Sequence, residues 1–171
     1  KIMAEIFREI TPLTHYDCFL VFERSKKDFD FPIHTHDELE LNFIFNGAGV
    51  LRVVGDHKEE ISDLELVLVG ARLPHCWMTH NYEYKKDKGE MTEITIQFHK
   101  DLLDEKFLRR NQLIFIKSLL EKAGRGISFP QETIKQLEPR LRKLSKLSGF
   151  DSVLELYSIL HDLSLTRGIQ L

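Results

Sequence analysis

The sequence predicts a mainly β protein, with a barrel or sandwich of short strands over residues 1–100 and a helical segment over residues 101–171. Two observations carry this prediction. Short runs rich in β-branched and aromatic residues recur at positions 19–23, 39–45, 50–54, 64–69 and 91–98. After residue 100, apolar residues recur three or four positions apart, which is the spacing of one helix face. Many short strands at close spacing are typical of barrels and sandwiches.

Turn signals separate the predicted strands. Asn46-Gly47 stands between two apolar runs and predicts a hairpin, because type I′ turns need positive φ at both central residues. Gly55-Asp56 and Gly70 mark further turns. The first hundred residues therefore read as consecutive short strands.

The helical segment divides at small and polar residues. A first helix is expected to end near Gly124. Ser128 and Gln131 are expected to form a capping box for a second helix, which Pro139 should kink or shorten. A last helix over residues 151–165 carries apolar residues on more than one face, since Leu154 adds to those around Leu160. That surplus predicts a homodimer through a partner helix, unless all of it packs within the monomer.

Composition bounds the class of protein. Of the 171 residues, 42% are hydrophobic and 30% are charged, which is ordinary for a globular domain. Residues 1–100 carry 12 Lys and Arg against 18 Asp and Glu, and residues 101–171 carry 12 against 9. Neither half is basic enough to indicate DNA binding, and no apolar run is long enough to span a membrane.

Two features favour a cytoplasmic protein. The first ten residues include Glu5, Arg8 and Glu9 and do not resemble a signal peptide. Cys18 and Cys76 lack metal-type spacing and lie in apolar, strand-like contexts. We interpret them as reduced core residues.

The chemistry-bearing residues lie around positions 31–47. His34, His36 and Glu40 alternate along one predicted strand, so their side chains share a face. His75 follows a later apolar run and can add a third imidazole. Three nitrogens and one carboxylate suit a divalent transition metal such as Zn, Fe, Mn or Ni, with open positions for water or a ligand. An occupied and an empty site both stay open.

This pattern resembles the cupin superfamily. The family's first motif has His-x-His, then Glu after three or four intervening residues, then Gly after six more, and its second motif supplies another histidine. His34, His36, Glu40 and Gly47 match the first motif, and His75 matches the second. The resemblance implies a cupin double-stranded β-helix barrel with a C-terminal α-helical appendage.

A narrower resemblance is to the sensor domains of AraC-type bacterial transcription regulators. It is carried by Phe31-Pro32-Ile33-His34, Leu68-Val69-Gly70, Leu73-Pro74-His75-Cys76-Trp77 and Arg125-Gly126-Ile127-Ser128-Phe129. It implies an effector-sensing and dimerisation domain that binds a small molecule, such as a sugar, in the barrel. In that family DNA is contacted through a helix-turn-helix domain, which would begin where this chain stops.

Four further residues are expected to line the ligand pocket. They are Glu38, Asn42, Trp77 and Gln97. The alternatives are solvated strand ends for Glu38 and Asn42, a core aromatic for Trp77, and an outward-facing strand position for Gln97. No catalytic residue is predicted, although the complete ligand set keeps a metal-dependent cupin enzyme, a dioxygenase or sugar isomerase, as the alternative function.

The opposite face of the same predicted strand is apolar. Leu39, Leu41, Phe43 and Phe45 are expected to point away from the histidines. Such a row needs cover from the second sheet, the C-terminal helices or another subunit.

Overall fold

The computed structural model describes residues 5–79 and 89–171. Within them, eleven strands form two sheets and a helical part follows residue 100. The strands are β1 (Phe7–Arg8), β2 (Phe19–Lys26), β3 (His34–Thr35), β4 (Leu39–Phe45), β5 (Leu51–Val54), β6 (His57–Glu60), β7 (Leu64–Val69), β8 (His75–Met78), β9 (Met91–Phe98), β10 (Ile127–Ser128) and β11 (Ile169–Gln170). The helices are α1 (Glu105–Leu108), α2 (Ile114–Lys122), α3 (Gln131–Leu144) and α4 (Gly149–Ser164). The predicted mainly β fold with a C-terminal helical part is confirmed, while its assignment to the cupin family stays a prediction.

Two sheets enclose the interior of the β part. The five-stranded sheet has the order β1-β3-β8-β5-β6, and the six-stranded sheet has the order β11-β10-β7-β4-β9-β2. They pack together through one apolar cluster that includes Val54 and Trp77 from the first sheet and Ile44, Val67 and Met91 from the second. The barrel interior is therefore bounded by side chains from both sheets.

The strand that follows Asn46-Gly47 does not pair with the strand before it. Strand β4 pairs with β7 and β9, whereas β5 pairs with β6 and β8. The predicted Asn46-Gly47 hairpin is wrong, because this turn carries the chain from one sheet to the other. Asn46 has φ of 63°, and a Cβ on Gly47 would lie 2.6 Å from the Ile44 side chain. Close packing, not a two-residue hairpin, requires glycine there.

The segment from His34 to Glu40 is likewise not one strand. His34 lies in β3 of the five-stranded sheet, and Glu40 lies in β4 of the six-stranded sheet. The prediction that these side chains share one face of a single strand is therefore wrong, because they lie on strands of different sheets. The chain bends at Asp37 and Glu38 and brings both sheets to the same region of the interior.

The helical part covers the outer face of the six-stranded sheet. Leu39, Leu41 and Phe43 are buried in one cluster with side chains of α2, α3 and α4, while Phe45 stays 37% exposed. The members of this cluster on α3 and α4 are Ile134, Leu137, Leu141, Leu144, Leu156, Ile159, Leu160 and Leu163. The C-terminal helices thus supply the cover that the apolar row needs.

Two predicted details of α3 differ from the structure. Ser128 lies in β10, and the residue that caps α3 is Pro130, without a side-chain hydrogen bond, so the predicted capping box is wrong. The helix runs through Pro139 to Leu144 and is not shortened by it. Burial of its apolar face in the cluster under the sheet outweighs the lost backbone hydrogen bond.

The surplus apolar surface of α4 is smaller than the sequence indicates. Ile159 is fully buried within the monomer, while Leu154 is 49% exposed. Phe150, at the start of α4, is 73% exposed. The predicted homodimer stays a prediction.

Two further expectations concern the burial of the cysteines and the absence of a segment long enough to span a membrane. Cys76 is buried, but Cys18 is exposed just before β2, so its interpretation as a core residue is wrong. Both are free thiols. Among the helices that the structure describes, none is long and apolar enough to cross a membrane.

Candidate functional site

Three histidines converge inside the barrel. His34 on β3 lies directly opposite His75 on β8, and His36 follows where the chain leaves β3. One ligand nitrogen from each ring lies within 4.8 Å of the other two, and all three residues are buried. The barrel therefore brings together three imidazoles, one from β3, one from the residue just after β3 and one from the neighbouring β8.

Each imidazole is held by a backbone carbonyl two residues away. The Nδ1 atoms of His34, His36 and His75 lie 2.9, 3.0 and 2.8 Å from the carbonyl oxygens of Pro32, Glu38 and Leu73. A carbonyl can only accept, so each Nδ1 carries the proton and donates it. A neutral ring then presents an unprotonated Nε2, which is the form that ligates a metal ion.

Glu40 closes one side of this cluster. Its Oε1 lies 3.2 Å from His36 Nε2, and its Oε2 lies 3.5 Å from His75 Nε2. Burial raises the pKa of Glu40, but the nearby His75 and the hydrogen bond with His36 lower it more, so the net pKa falls well below its usual value. The carboxylate is therefore ionised at neutral pH.

The protonation of two histidines differs with their surroundings. Burial, reinforced by His75, lowers the pKa of His34 to about 4. Burial also lowers the pKa of His36, but the hydrogen bond and the charge of Glu40 outweigh it and raise the pKa above its usual value. One cation, either a proton on His36 Nε2 or a metal ion, thus complements the Glu40 carboxylate.

The donor set fits a divalent transition metal. His75 Nε2 is buried and has no hydrogen-bond partner among the described residues. Unprotonated imidazole nitrogens and one ionised carboxylate are the ligands that Zn, Fe, Mn and Ni accept. The role of His34, His36, Glu40 and His75 as ligands stays a prediction that this geometry supports.

A pocket of about 360 Å³ opens beside the cluster. Its lining combines polar and charged side chains with aromatic rings and a thiol. The polar and charged members include Arg24, Lys26, Glu40, Asn42, Glu93, Thr95 and Gln97, and the others include Phe22, Phe29, Phe31, Cys76 and Trp77. Such a mixture of an apolar body and a few placed polar groups is typical of small-molecule sites.

The orientation of two amides follows from their partners. Asn42 Nδ2 lies 3.2 Å from carboxylate oxygens of both Glu40 and Glu93, and Gln97 Nε2 lies 3.2 Å from Glu40 Oε1. Ionised carboxylates only accept, so the amide nitrogens must face them. Asn42 Oδ1 and Gln97 Oε1 are buried and have no hydrogen-bond partner within residues 5–79 and 89–171.

Trp77 is fixed from behind the pocket wall. Its Nε1 donates to Glu65 Oε2 at 3.0 Å, and Glu65 Oε1 accepts from Arg52 Nη1 at 2.8 Å. Glu65 and Arg52 are each only 4% exposed. This buried ion pair therefore holds the indole ring in one orientation.

The structure places the four predicted pocket residues differently. Asn42, Trp77 and Gln97 line the pocket, whereas Glu38 does not line it and instead offers its carbonyl to His36. Glu93 is a pocket residue that the sequence analysis missed, although it shares the alternation of Thr95 and Gln97.

Glu9 is the second missed residue. Its backbone N–H donates to Thr35 O at 2.8 Å, which sets its carboxylate 3.6 Å from His34 Nε2. No local pattern in the sequence points to this contact, because it depends on the parallel pairing of β1 with β3.

Comparisons with known proteins give a distant likeness of fold. No family model matches the chain, and no curated protein matches it. Among solved structures, the chain is similar to ToxT from Vibrio cholerae, at 11% identity over 83% of this chain and 54% of that one, with a TM-score of 0.46.

Two further ToxT structures give similar values. One is bound to (E)-4-(8-methylnaphthalen-1-yl)but-3-enoic acid, at 11% identity over 84% of this chain and 54% of that one, with a TM-score of 0.48. The other is described as unsaturated fatty acid bound, at 13% identity over 82% of this chain and 52% of that one, with a TM-score of 0.44. The chain thus spans about half the length of these proteins. With TM-scores below 0.5 they do not assign a function, which has to be inferred from the site.

Proposed function

We propose that this chain is the effector-sensing and dimerisation domain of an AraC-type transcription regulator, with a small molecule bound in the barrel pocket. The observation that carries the proposal is that the same strands line the pocket with one face and pack against the helical part with the other. On β4, Asn42 faces the pocket and Phe43 faces the helices; on β9, Gln97 and Ile96 divide in the same way. DNA would be contacted through a helix-turn-helix domain outside this chain, as the sequence resemblance implies.

Shared strands give a ligand a route to the helices. A molecule bound against Asn42 and Gln97 contacts β4 and β9, whose other faces pack on α3 and α4. The ligand shifts the helices only as far as it binds one arrangement of them better than another. A displacement of these strands alters the packing of Phe43 and Ile96, because close-packed interiors transmit strain.

The chemistry of the pocket supports a ligand rich in hydrogen-bond donors. The unpartnered oxygens of Asn42 and Gln97 need donors, which hydroxyl or amine groups supply. Arg24 and Lys26 also line the pocket, and Lys26 pairs with Glu93 at 2.8 Å, so the charge of the carboxylates is offset. The aromatic rings accept an apolar face of the ligand. A sugar or a similar polyol combines these properties.

We also propose that His34, His36, His75 and Glu40 hold a divalent transition metal. The support is the set of three imidazoles whose Nδ1 protons are committed to backbone carbonyls. When bound, the ion would supply positive charge and open positions for a ligand oxygen. The histidines then bind and orient, and Glu40 balances charge.

The sensing proposal is tested by ligand binding and hydrogen exchange together. Thermal shift of the purified chain is measured with a panel of monosaccharides and polyols. Binding of any hit should be lost in Asn42→Leu, which keeps the branched shape of the side chain and removes the amide, and retained in Gln136→Leu on the exposed side of α3. Saturation with that hit should change amide exchange in α3 and α4.

Two results would contradict sensing. Failure of the whole panel to shift the melting temperature would exclude the donor-rich class of ligand. A ligand whose binding depends on Asn42 but which leaves amide exchange in α3 and α4 unchanged would show that binding in the pocket is not transmitted to the helices.

A metal-dependent enzyme is the second candidate, because the histidine cluster borders the pocket through His34 and Glu40. Turnover of a pocket ligand by metal-loaded protein, absent in His36→Gln, would favour it over the sensor.

A further inference from the structure

A second carboxylate faces the histidine cluster from the N-terminal end of the described chain. Strand β1 pairs in parallel with β3, with Phe7 opposite His34. Two backbone hydrogen bonds, Phe7 N–H to Ile33 O at 3.2 Å and Glu9 N–H to Thr35 O at 2.8 Å, hold the segment. As a result the Glu9 side chain is 29% exposed and its Oε2 lies 3.6 Å from His34 Nε2.

The contact between Glu9 Oε2 and His34 Nε2 brings together two atoms that both accept hydrogen bonds. His34 donates its Nδ1 proton to Pro32 O, which leaves a lone pair on Nε2. The facing oxygen of Glu9 also carries lone pairs. No proton lies between them in the neutral ring, so a cation is the natural complement of the pair. The same holds for Glu40 Oε2 and His75 Nε2, which are 3.5 Å apart.

The two carboxylates divide the cluster between them. Glu40 lies against His36 and His75, and Glu9 lies against His34. Every imidazole Nε2 thus has a carboxylate oxygen within 3.6 Å. Two carboxylates around three imidazole nitrogens are a donor set that suits a divalent cation.

We infer that Glu9 is a second carboxylate of the metal site, so that the ion is held by three histidines and two glutamates. This inference rests on the metal site proposed above. The ion ties β1 to the cluster, because Glu9 reaches it only when β1 is paired with β3. Metal binding therefore strengthens the docking of this two-residue strand, which the structure otherwise holds by few hydrogen bonds.

The inference is tested first by zinc affinity. Chelator-stripped protein is titrated with Zn²⁺ against a chromogenic chelator, using native protein, Glu9→Gln, His36→Gln and the matched control Glu5→Gln. Glu5 lies on the same segment and is exposed. We expect Glu9→Gln to weaken zinc binding about ten- to a hundredfold, the loss seen when a residue supporting a metal site is removed. Glu5→Gln should bind as native protein does.

Docking of β1 gives a second readout that does not depend on affinity. Arg8 is exposed, and trypsin cleavage after it requires the segment to leave the sheet. At zinc concentrations that saturate each protein, zinc should slow this cleavage in native protein and Glu5→Gln but not in Glu9→Gln. Equal thermal unfolding of native protein and Glu9→Gln in chelator would establish that the variant folds.

The outcomes separate the two proposals. If native protein binds zinc and Glu9→Gln binds it equally well, with the same protection of Arg8, Glu9 is only a rim carboxylate and the inference is overturned while the metal site stands. If native protein binds no zinc, the metal site and this inference fail together.

Discussion

His34 and His75 face each other directly across two antiparallel strands, with ring centroids 4.3 Å apart. The barrel holds these two bases close together in a buried place, where only one positive charge can be accommodated at low cost. Their proximity is one reason, after burial, that the pKa of His34 falls to about 4.

The first prediction is that metal-free protein loses stability as the pH falls from 6.5 to 5. The folded pKa of His34, about 4, lies below its usual value of 6.5, so the unfolded state binds more protons in this window. His34 alone would account for a loss of up to about 1.5 kcal/mol over this interval. The raised pKa of His36 offsets part of it, because that contribution is fully present below the unfolded pKa and is lost as the pH rises.

Urea unfolding at both pH values, in the presence of a chelator, measures this loss. His34→Gln should flatten the dependence, and His161→Gln, at an exposed site on α4, should leave it unchanged. A native slope in His34→Gln would contradict the assignment of this proton uptake to His34.

The second prediction concerns the ion pair behind Trp77. Glu65→Ala should destabilise the fold by up to about 3–5 kcal/mol, because it removes the only buried carboxylate that pairs with Arg52 among the described residues and leaves this buried guanidinium with the exposed Glu59. Glu59 pairs with the same guanidinium at 3.0 Å but has a side chain that is 60% exposed. Glu59→Ala should therefore cost less than about 1 kcal/mol. Urea unfolding of the two variants compares them, and equal losses would contradict this reasoning.

The third prediction is a homodimer that uses the exposed part of α4. Leu154→Asp should shift the chain from dimer to monomer, because it places a charge where Leu154 and Phe150 present apolar surface. Ile10→Asp, at a site that is 93% exposed, is the control. Light scattering after gel filtration measures the mass. A clean monomer of the native chain at high concentration would rule the dimer out.

The fourth prediction is that chelation lowers the melting temperature of metal-loaded protein. An ion that binds only the folded state stabilises it by mass action, by about 2.7 kcal/mol at a hundred times its dissociation constant. His36→Gln should lose this effect. Elemental analysis of untagged protein purified without chelator should find one transition metal per chain, and its absence would count against the metal site.

Much of the fold could be predicted because its signals are local. Strands β4, β7 and β9 coincide with apolar runs of high β propensity, and their bounds agree with the prediction. The partner of each strand is not a local property. Asn46-Gly47 has the composition of a hairpin turn, yet the space around Ile44 and the change of sheet determine its conformation.

The residues of the candidate site likewise divide into those with a local sequence signal and those that depend on strand pairing. His34, His36, His75 and Glu40 were found through motif spacing, although the chain joins them by crossing between sheets and not by alternation along one strand. Glu9 could not be found, because its position depends on a parallel pairing across more than twenty residues. Glu93 was not predicted, because the sequence does not show which face of β9 points into the barrel. With that face known, the alternation of Glu93 with Thr95 and Gln97 places it in the pocket.

The carbonyl bonds to the three Nδ1 atoms have a consequence for metal selectivity. They exist without an ion, so the rings are ordered when the protein folds, and the loss of rotamer entropy is not incurred at binding. A site fixed in this way adapts little to the size or preferred geometry of the ion. Relative affinities should then depart from the intrinsic order of the ions, which rises from Mn²⁺ through Fe²⁺, Co²⁺ and Ni²⁺ to Cu²⁺ and falls at Zn²⁺, in favour of the ion whose preferred geometry matches the fixed rings. The fixed arrangement of the rings, and not intrinsic affinity alone, would accordingly decide which ion the protein carries.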